Sequence, residues 1–174
     1  SGGYREAGYI PGAVVNMLAF LGWNPGTEQE IFSMDELVAA FELERVGKSG
    51  SRFDPEKAKW YNQQYLKMIP DKDLAESFMK EINSKGIVRD PVWIEKVVSL
   101  VRERLVFEAD LWHAAWYFFQ APDTYDAQMM KKVWKEDTNG LIAIIVNILE
   151  SLSDFSHSEI EKAVREYTES HNVN

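Results

Sequence analysis

The chain has 174 residues, of which 45% are hydrophobic and 13% aromatic, so it is long and apolar enough to bury a core. Lysine and arginine total 19 against 28 aspartate and glutamate, and the net charge of −9 excludes a protein that coats nucleic acid through a general basic surface. Any contact with nucleic acid is expected to be local. The chain has no cysteine, which excludes disulfides, thiolate metal sites and thiol catalysis.

The chain begins with Ser1-Gly2-Gly3, which carries no initiator methionine, basic segment or apolar segment. We interpret residues 1–3 as a cleavage scar and leave them out of the fold. The longest apolar run, residues 141–149, is interrupted by Asn147 and is much shorter than the roughly 20 residues that cross a bilayer. The sequence therefore predicts no membrane span.

Apolar residues recur at helical spacing along nearly the whole chain, and no useful stretch alternates as a half-buried strand does. We therefore predict an all-α, mostly helical fold. The first helix is expected at about residues 11–21, ending at the turn-forming residues 22–26. Its predicted apolar face consists of Val14, Val15, Leu18 and Leu21.

Local capping signals predict where the next helices begin. Ser33 and Glu36 have the spacing of a capping box, which predicts a short helix to about residue 41. Asp54-Pro55 combines an N-cap acceptor with a proline that suits the first helical position. Pro70-Asp71 ends this third helix, so a domain boundary is expected near residue 70.

A fourth helix is expected from about residue 72 to Gly86, a residue that suits a left-handed helix cap. Asp90-Pro91 opens the following helix in the same way as the earlier Asp-Pro pair. Its predicted buried face consists of Val97, Val98, Val101 and Leu105. Residues 111–119 are rich in aromatic side chains at helical spacing, which favours core packing over base stacking.

Three further helices are expected in the last third of the chain. The first starts at Pro122-Asp123 and runs through Trp134, and the second covers about residues 141–152 after the Asn139-Gly140 break. A second capping box, formed by Ser156 and Glu159, predicts the start of the last helix.

Three cations lie close together in a glycine-containing loop of this otherwise acidic chain: Arg45, Lys48 and Arg52. Such side chains can meet phosphate oxygens, and the alternative is a solvated loop without a ligand.

A second pair of cations, Arg102 and Arg104, lies near the end of the helix that Asp90-Pro91 opens. Residues two apart on a helix point to different sides. One arginine could therefore form a structural pair with Glu103 or Glu108 while the other stays free to bind RNA.

No catalytic or metal-binding constellation is found. The three histidines are far apart in the sequence and have no carboxylates at matching helical spacing: His113, His157 and His171. We predict no metal site and no catalytic residue in this chain.

Three ordered blocks resemble the region that follows the ATP-binding signature loop in bacterial glutamyl-tRNA synthetases. They are GYIPGAVVNMLAFLGW, FSMDELVAAFELERV and SRFDPEKAKWYNQQYL, in residues 8–66. The resemblance implies that residues 4–70 form the rear of the stem-contact region. It further implies that residues 71–120 form a first anticodon-binding helical bundle, and residues 121–174 an incomplete second one.

The resemblance also implies roles for the cations. Arg45, Lys48 and Arg52 become expected contacts to the tRNA backbone. The VRER segment at residues 101–104 looks like the family's short arginine-containing motif, in which the second arginine reads the last anticodon base. That role is carried onto Arg104, with Arg102 as the weaker candidate.

The family's HIGH-like and KMSKR-like motifs are both absent from these 174 residues. We therefore expect a fragment that is inactive alone and has no cofactor of its own. The full-length parent would join glutamate to its tRNA with ATP and magnesium, as a cytoplasmic monomer that binds neither DNA nor membranes. The rival interpretation is an acidic helical module for protein-protein interaction.

Overall fold

The computed structural model describes residues 3–47 and 52–171, and this part of the chain is helical as predicted. Ser1, Gly2 and the predicted tRNA contact Lys48 lie outside the described residues. The α-helices are α1 (Pro11–Phe20), α2 (Met34–Ala40), α3 (Pro55–Leu66), α4 (Asp71–Ser84), α5 (Pro91–Val101), α6 (Leu111–Ala115), α7 (Ala127–Val133), α8 (Thr138–Ser151) and α9 (His157–Ser170). Short 3₁₀ turns cover Leu43–Arg45, Arg102–Arg104, Glu108–Asp110 and Trp116–Phe118.

The chain divides into two compact units, Ser1–Ala121 and Pro122–Asn174. The boundary expected near residue 70 falls inside the first unit, so the division into stem-contact and anticodon-binding parts stays a prediction. Among the residues described, no helix is both long and apolar enough to cross a membrane.

Side-chain caps form at the starts of α2, α3 and α5, as the sequence predicts. The Ser33 hydroxyl accepts from the Glu36 amide at 3.2 Å, and the Glu36 carboxylate accepts from the Ser33 amide at 2.7 Å. Asp54 accepts from the Glu56 amide at 2.9 Å, and the carboxylate of Asp90, which precedes α5, accepts from a first-turn amide at 3.1 Å. These caps give hydrogen-bond partners to backbone amides that a helix start would otherwise leave free.

The predicted apolar face of α1 is wrong at two of its four positions, although Val14 is partly buried against the core that α1 forms with α3. Val15 and Leu18 are 38% and 49% exposed, whereas Ala13, Asn16 and Met17 are buried. Nearly every residue of α1 is apolar, so spacing alone could not select the face. The contact with α3 decides it, because Ala13 and Met17 pack against the buried side chains of that helix.

In the second unit, the first two helix starts differ from the sequence predictions, whereas the last helix begins after Ser156 as predicted. Residues 122–126 are not helical, and α7 begins after Asp126, whose carboxylate accepts from two first-turn amides at 2.8 Å each. The α8 helix starts at Thr138 and runs through the expected Asn139-Gly140 break. The Ser156 hydroxyl lies 3.1 Å from the Asp154 carboxylate instead of capping α9, so the second capping box does not form.

In the described residues of the first unit, one large core is accompanied by two small clusters of buried side chains. The largest core joins the end of α3 with α4, α5 and α6, and its buried members are Leu66, Leu74, Ala75, Phe78, Ile82, Ile94, Val97, Val98, Val101, Leu105, Leu111 and Ala115. The predicted buried face of α5 is confirmed, with Ile94 in addition. Phe119 packs edge-on against Phe78 and Trp93, which supports the packing role of the aromatic segment.

Candidate nucleic-acid interface

Arg104 is an exposed cation at the end of the 3₁₀ turn that follows α5. Its neighbour in the chain, Leu105, is completely buried, and Val101, the last residue of α5 before the turn, is buried as well. The Arg104 guanidinium forms neither an ion pair nor a hydrogen bond with any other residue that the structure describes. A fixed backbone thus carries a guanidinium whose donors are available to an RNA base or phosphate.

Arg102 is engaged within the protein. One nitrogen of its guanidinium pairs with the Asp71 carboxylate, and Nη2 donates to the carbonyls of Lys67 at 2.7 Å and Ile69 at 3.0 Å. The Arg102 side chain is only 21% exposed. These contacts tie the end of α5 to the corner between α3 and α4, so few of its donors remain for RNA.

The expected partner of the structural arginine is wrong. Arg102 pairs with Asp71 and with neither Glu103 nor Glu108. The Glu103 carboxylate lies 2.6 Å from Lys67 Nζ instead, and the Glu108 carboxylate accepts from the Ser77 hydroxyl. The hydrogen bond from Lys67 is the main reason that the pKa of Glu103 lies below its ordinary value.

Arg45 is also partly engaged. Its Nε lies 2.8 Å from the Glu42 carboxylate, and its Nη1 donates to the Pro25 carbonyl. The guanidinium lies so close to Gly26 that a Cβ at that position would be 2.6 Å from Nη1, and Gly26 has a φ of +75°. Arg45 therefore braces the turn after α1 and leaves only part of its donor set outward.

Arg52 is exposed and lines a cavity of about 280 Å³ between the end of α1 and the start of α3. Two carboxylates, of Glu30 and Asp54, line the same cavity, and Glu30 accepts from Lys57 Nζ at 2.7 Å. The third predicted loop contact, Lys48, lies outside the described residues. The roles of Arg45, Lys48 and Arg52 towards tRNA thus stay predictions.

Sequence reasoning missed the polar residues of α3 that hold the arginine-bearing turn. The fully buried Asn62 accepts from the Ile10 amide at 2.7 Å and donates to the Val106 carbonyl at 2.6 Å. Gln63 donates to the Glu103 carbonyl at 3.2 Å. The available signal was Asn62 itself, a polar residue one helical turn from Ala58 and Leu66 on the buried face.

In residues 3–47 and 52–171, no group of three or more histidine, aspartate or glutamate side chains is placed to hold a metal ion.

Two family models match adjoining parts of the chain. Residues 63–174 match the anticodon binding domain, and residues 1–60 match the catalytic domain of class I tRNA synthetases for E and Q. The stretch that we assign to the stem-contact region thus lies largely within the family model for the catalytic domain.

Similar proteins cover nearly the whole chain. Glutamate-tRNA ligases of Christiangramia forsetii and Flavobacterium johnsoniae are 45% and 47% identical over 99% and 96% of this chain, which covers 34% and 33% of those proteins. A crystal structure of a glutamate tRNA ligase from Elizabethkingia meningosepticum, in complex with its amino acid, matches with a TM-score of 0.87 at 36% identity. This match covers 100% of the chain and 34% of that protein.

The glutamate-tRNA synthetase of Elizabethkingia anophelis gives a TM-score of 0.81 at 36% identity, covering 98% of this chain and 33% of its own length. The chain thus spans about a third of the length of the relatives that it matches. The anticodon binding family model alone accounts for more than half of the 174 residues. The chain therefore belongs to the anticodon binding domain family, and over nearly its whole length it is homologous to part of the glutamate-tRNA ligases.

Proposed function

We propose that this chain is the tRNA-binding part of a glutamate-tRNA ligase, with Arg104 as the residue that reads the last anticodon base. The observation that carries the proposal is the exposed Arg104 guanidinium, which has no ion pair or hydrogen bond with another described residue, at the end of a turn within the residues that match the anticodon binding domain. A guanidinium offers paired donors to a base edge, a geometry that lysine cannot supply. RNA bases in loops are recognised through such edges.

The charge of the chain suits local recognition. A net charge of −9 repels a polyanion over most of the surface, so selectivity must come from a few exposed cations. We assign contacts with the tRNA backbone to the outward donors of Arg45 and to Lys48 and Arg52. Arg102 contributes mainly through the protein contacts described above.

The parent attaches glutamate to its tRNA with ATP and magnesium in the cytoplasm, as a monomer that binds neither DNA nor membranes. We assign ATP and magnesium to the remainder of the parent, because the HIGH-like and KMSKR-like motifs are absent from these residues. The chain alone is expected to be inactive in aminoacylation. The comparisons offer no support for the rival acidic interaction module.

A binding titration tests the proposal directly. The chain is titrated with glutamate tRNA and with an unrelated tRNA at low and physiological salt. Selective binding that weakens steadily with salt is expected, because a few cations replace counterions on the phosphates. An affinity that is the same for both tRNAs and does not change with salt would refute the proposal. It would favour the rival interpretation, a module that binds another protein through an apolar surface.

Substitutions test whether Arg104 is the residue responsible for selective binding of glutamate tRNA. Arg104→Ala should weaken binding of glutamate tRNA by about tenfold, the scale of a lost base contact. The control is Arg89→Ala, which removes an exposed arginine just before α5 and should have a much smaller effect. In the full-length parent, Arg104→Ala should impair tRNA charging more than adenylate formation. Equal losses in tRNA charging and in adenylate formation would contradict the role of Arg104 as the base-reading residue.

A further inference from the structure

We infer that Arg102 is a positioning residue for Arg104. Its guanidinium, the Asp71 carboxylate and the carbonyls of Lys67 and Ile69 together form a clamp, the Arg102 clamp, that sets the direction in which Arg104 points. The inference rests on the proposed function, since it concerns how the proposed base reader is held.

The Arg102 clamp is partly shielded from water and joins several groups. The side chains of Arg102 and Asp71 are only 21% and 25% exposed. The planar guanidinium meets one carboxylate and two carbonyls, so its orientation is fixed by three acceptors instead of one. Such a site resists the rotation that a single surface ion pair allows.

Further contacts hold the backbone on both sides of Arg104. Gln63 donates to the Glu103 carbonyl, and Lys67 pairs with the Glu103 carboxylate. On the other side, Leu105 is fully buried, and the Val106 carbonyl accepts from Asn62. The end of α3 and the corner after it thus hold the backbone of residues 102–106, whereas the Arg104 guanidinium has no hydrogen bond or ion pair with another residue in the described ranges.

This arrangement has a consequence for selectivity. Binding groups must be held within about 0.5 Å of their productive geometry to discriminate between similar ligands. Charge attraction to phosphate depends much less on direction. Loosening the Arg102 clamp should therefore reduce discrimination between bases more than it reduces general affinity for tRNA.

The test compares two acids in the first turn of α4. Asp71→Asn removes the carboxylate from the Arg102 clamp, whereas Asp73→Asn makes the same charge change at an exposed residue outside the clamp. Each variant of the 174-residue chain is titrated with glutamate tRNA and with the same tRNA carrying a substituted last anticodon base. The readout is the ratio of the two affinities, and circular dichroism verifies the fold.

Asp71→Asn should lower the ratio by about fivefold, part of the roughly tenfold loss expected for a missing base contact. Asp73→Asn should leave the ratio unchanged. In an Arg104→Ala background, Asp71→Asn should have no further effect, because the positioned group is gone. If Asp71→Asn does not fold, Arg102→Lys, which keeps the charge and loses the planar fork, is measured in its place.

Other results would overturn the inference in distinguishable ways. An unchanged ratio in a folded Asp71→Asn variant, with Arg104→Ala still impaired, would refute the positioning role and leave the proposed function intact. Equal losses from Asp71→Asn with and without Arg104 would assign the effect to another contact. A wild-type ratio that Arg104→Ala does not change would overturn both the base-reading role and this inference.

Discussion

Replacing Asn62 with alanine should destabilise the first unit strongly, because this one side chain joins three segments. Its side-chain oxygen Oδ1 accepts from the Ile10 amide at 2.7 Å, its side-chain nitrogen Nδ2 donates to the Val106 carbonyl at 2.6 Å, and the residue is fully buried in α3. Alanine leaves both backbone groups without a partner.

The magnitude follows from those two groups. A buried polar group that loses its partner costs about 1 to 3 kcal/mol, and Ile10 and Val106 are only partly buried, so each falls in the lower half of that range. Alanine recovers about 0.5 kcal/mol because it is a better helix former than asparagine. The expected net loss in the free energy of unfolding is about 2 to 3 kcal/mol.

The assay is equilibrium unfolding in urea followed by tryptophan fluorescence. All tryptophans except Trp134 precede Pro122, so the signal reports mainly on the first unit. The control is Asn83→Ala, the same substitution at an exposed position near the end of α4, which should change the free energy of unfolding by less than about 0.5 kcal/mol. If Asn62→Ala costs no more than this control, the joining role of Asn62 is refuted.

Other substitutions test the local structure. Ser33→Ala should lower the free energy of unfolding by about 1 kcal/mol in a urea titration, because the Glu36 amide loses its cap. The Ser33 amide holds the pKa of Glu36 below its ordinary value, so this carboxylate stabilises the fold at neutral pH and loses that effect as the pH falls through the lowered pKa. Glu36→Gln should therefore be less stable than wild type at pH 7, with a gap that closes on acidification; a constant gap would contradict the cause given. Gly86→Ala should destabilise by about 1 kcal/mol because its φ is +76°, whereas Gly140→Ala, inside α8, should stabilise by a similar amount in thermal melts.

Part of the fold was readable from the sequence because some signals act within a few residues. The capping box at Ser33 and the Asp-Pro pairs at residues 54–55 and 90–91 form helix starts as predicted. The helix break predicted at Asn139-Gly140 is wrong, and its cause is also local. The Asn139-Gly140 pair is only a weak helix breaker, and the rest of α8 is apolar enough to carry the helix through it.

The face of α1 could not be predicted, because almost every position of this helix is apolar and the packing of α3 selects which ones are buried. The candidate site was likewise predictable only in part. The two arginines of the VRER segment could be found in the sequence, and the resemblance selected the second as the base reader. Arg102 is engaged because of Asp71, which lies 31 residues earlier in the chain.

By itself, the sequence determined the helical class, the family, and the helix starts at Ser33, Asp54-Pro55 and Asp90-Pro91. Tertiary structure alone decided that Arg102 is the engaged arginine of the VRER segment and which residues of α1 are buried. The physical reason is the distance along the chain between the interacting residues. A cap joins atoms a few residues apart, whereas the partners of Arg102 and Asn62 are brought together only when α3, α4 and α5 pack into one core.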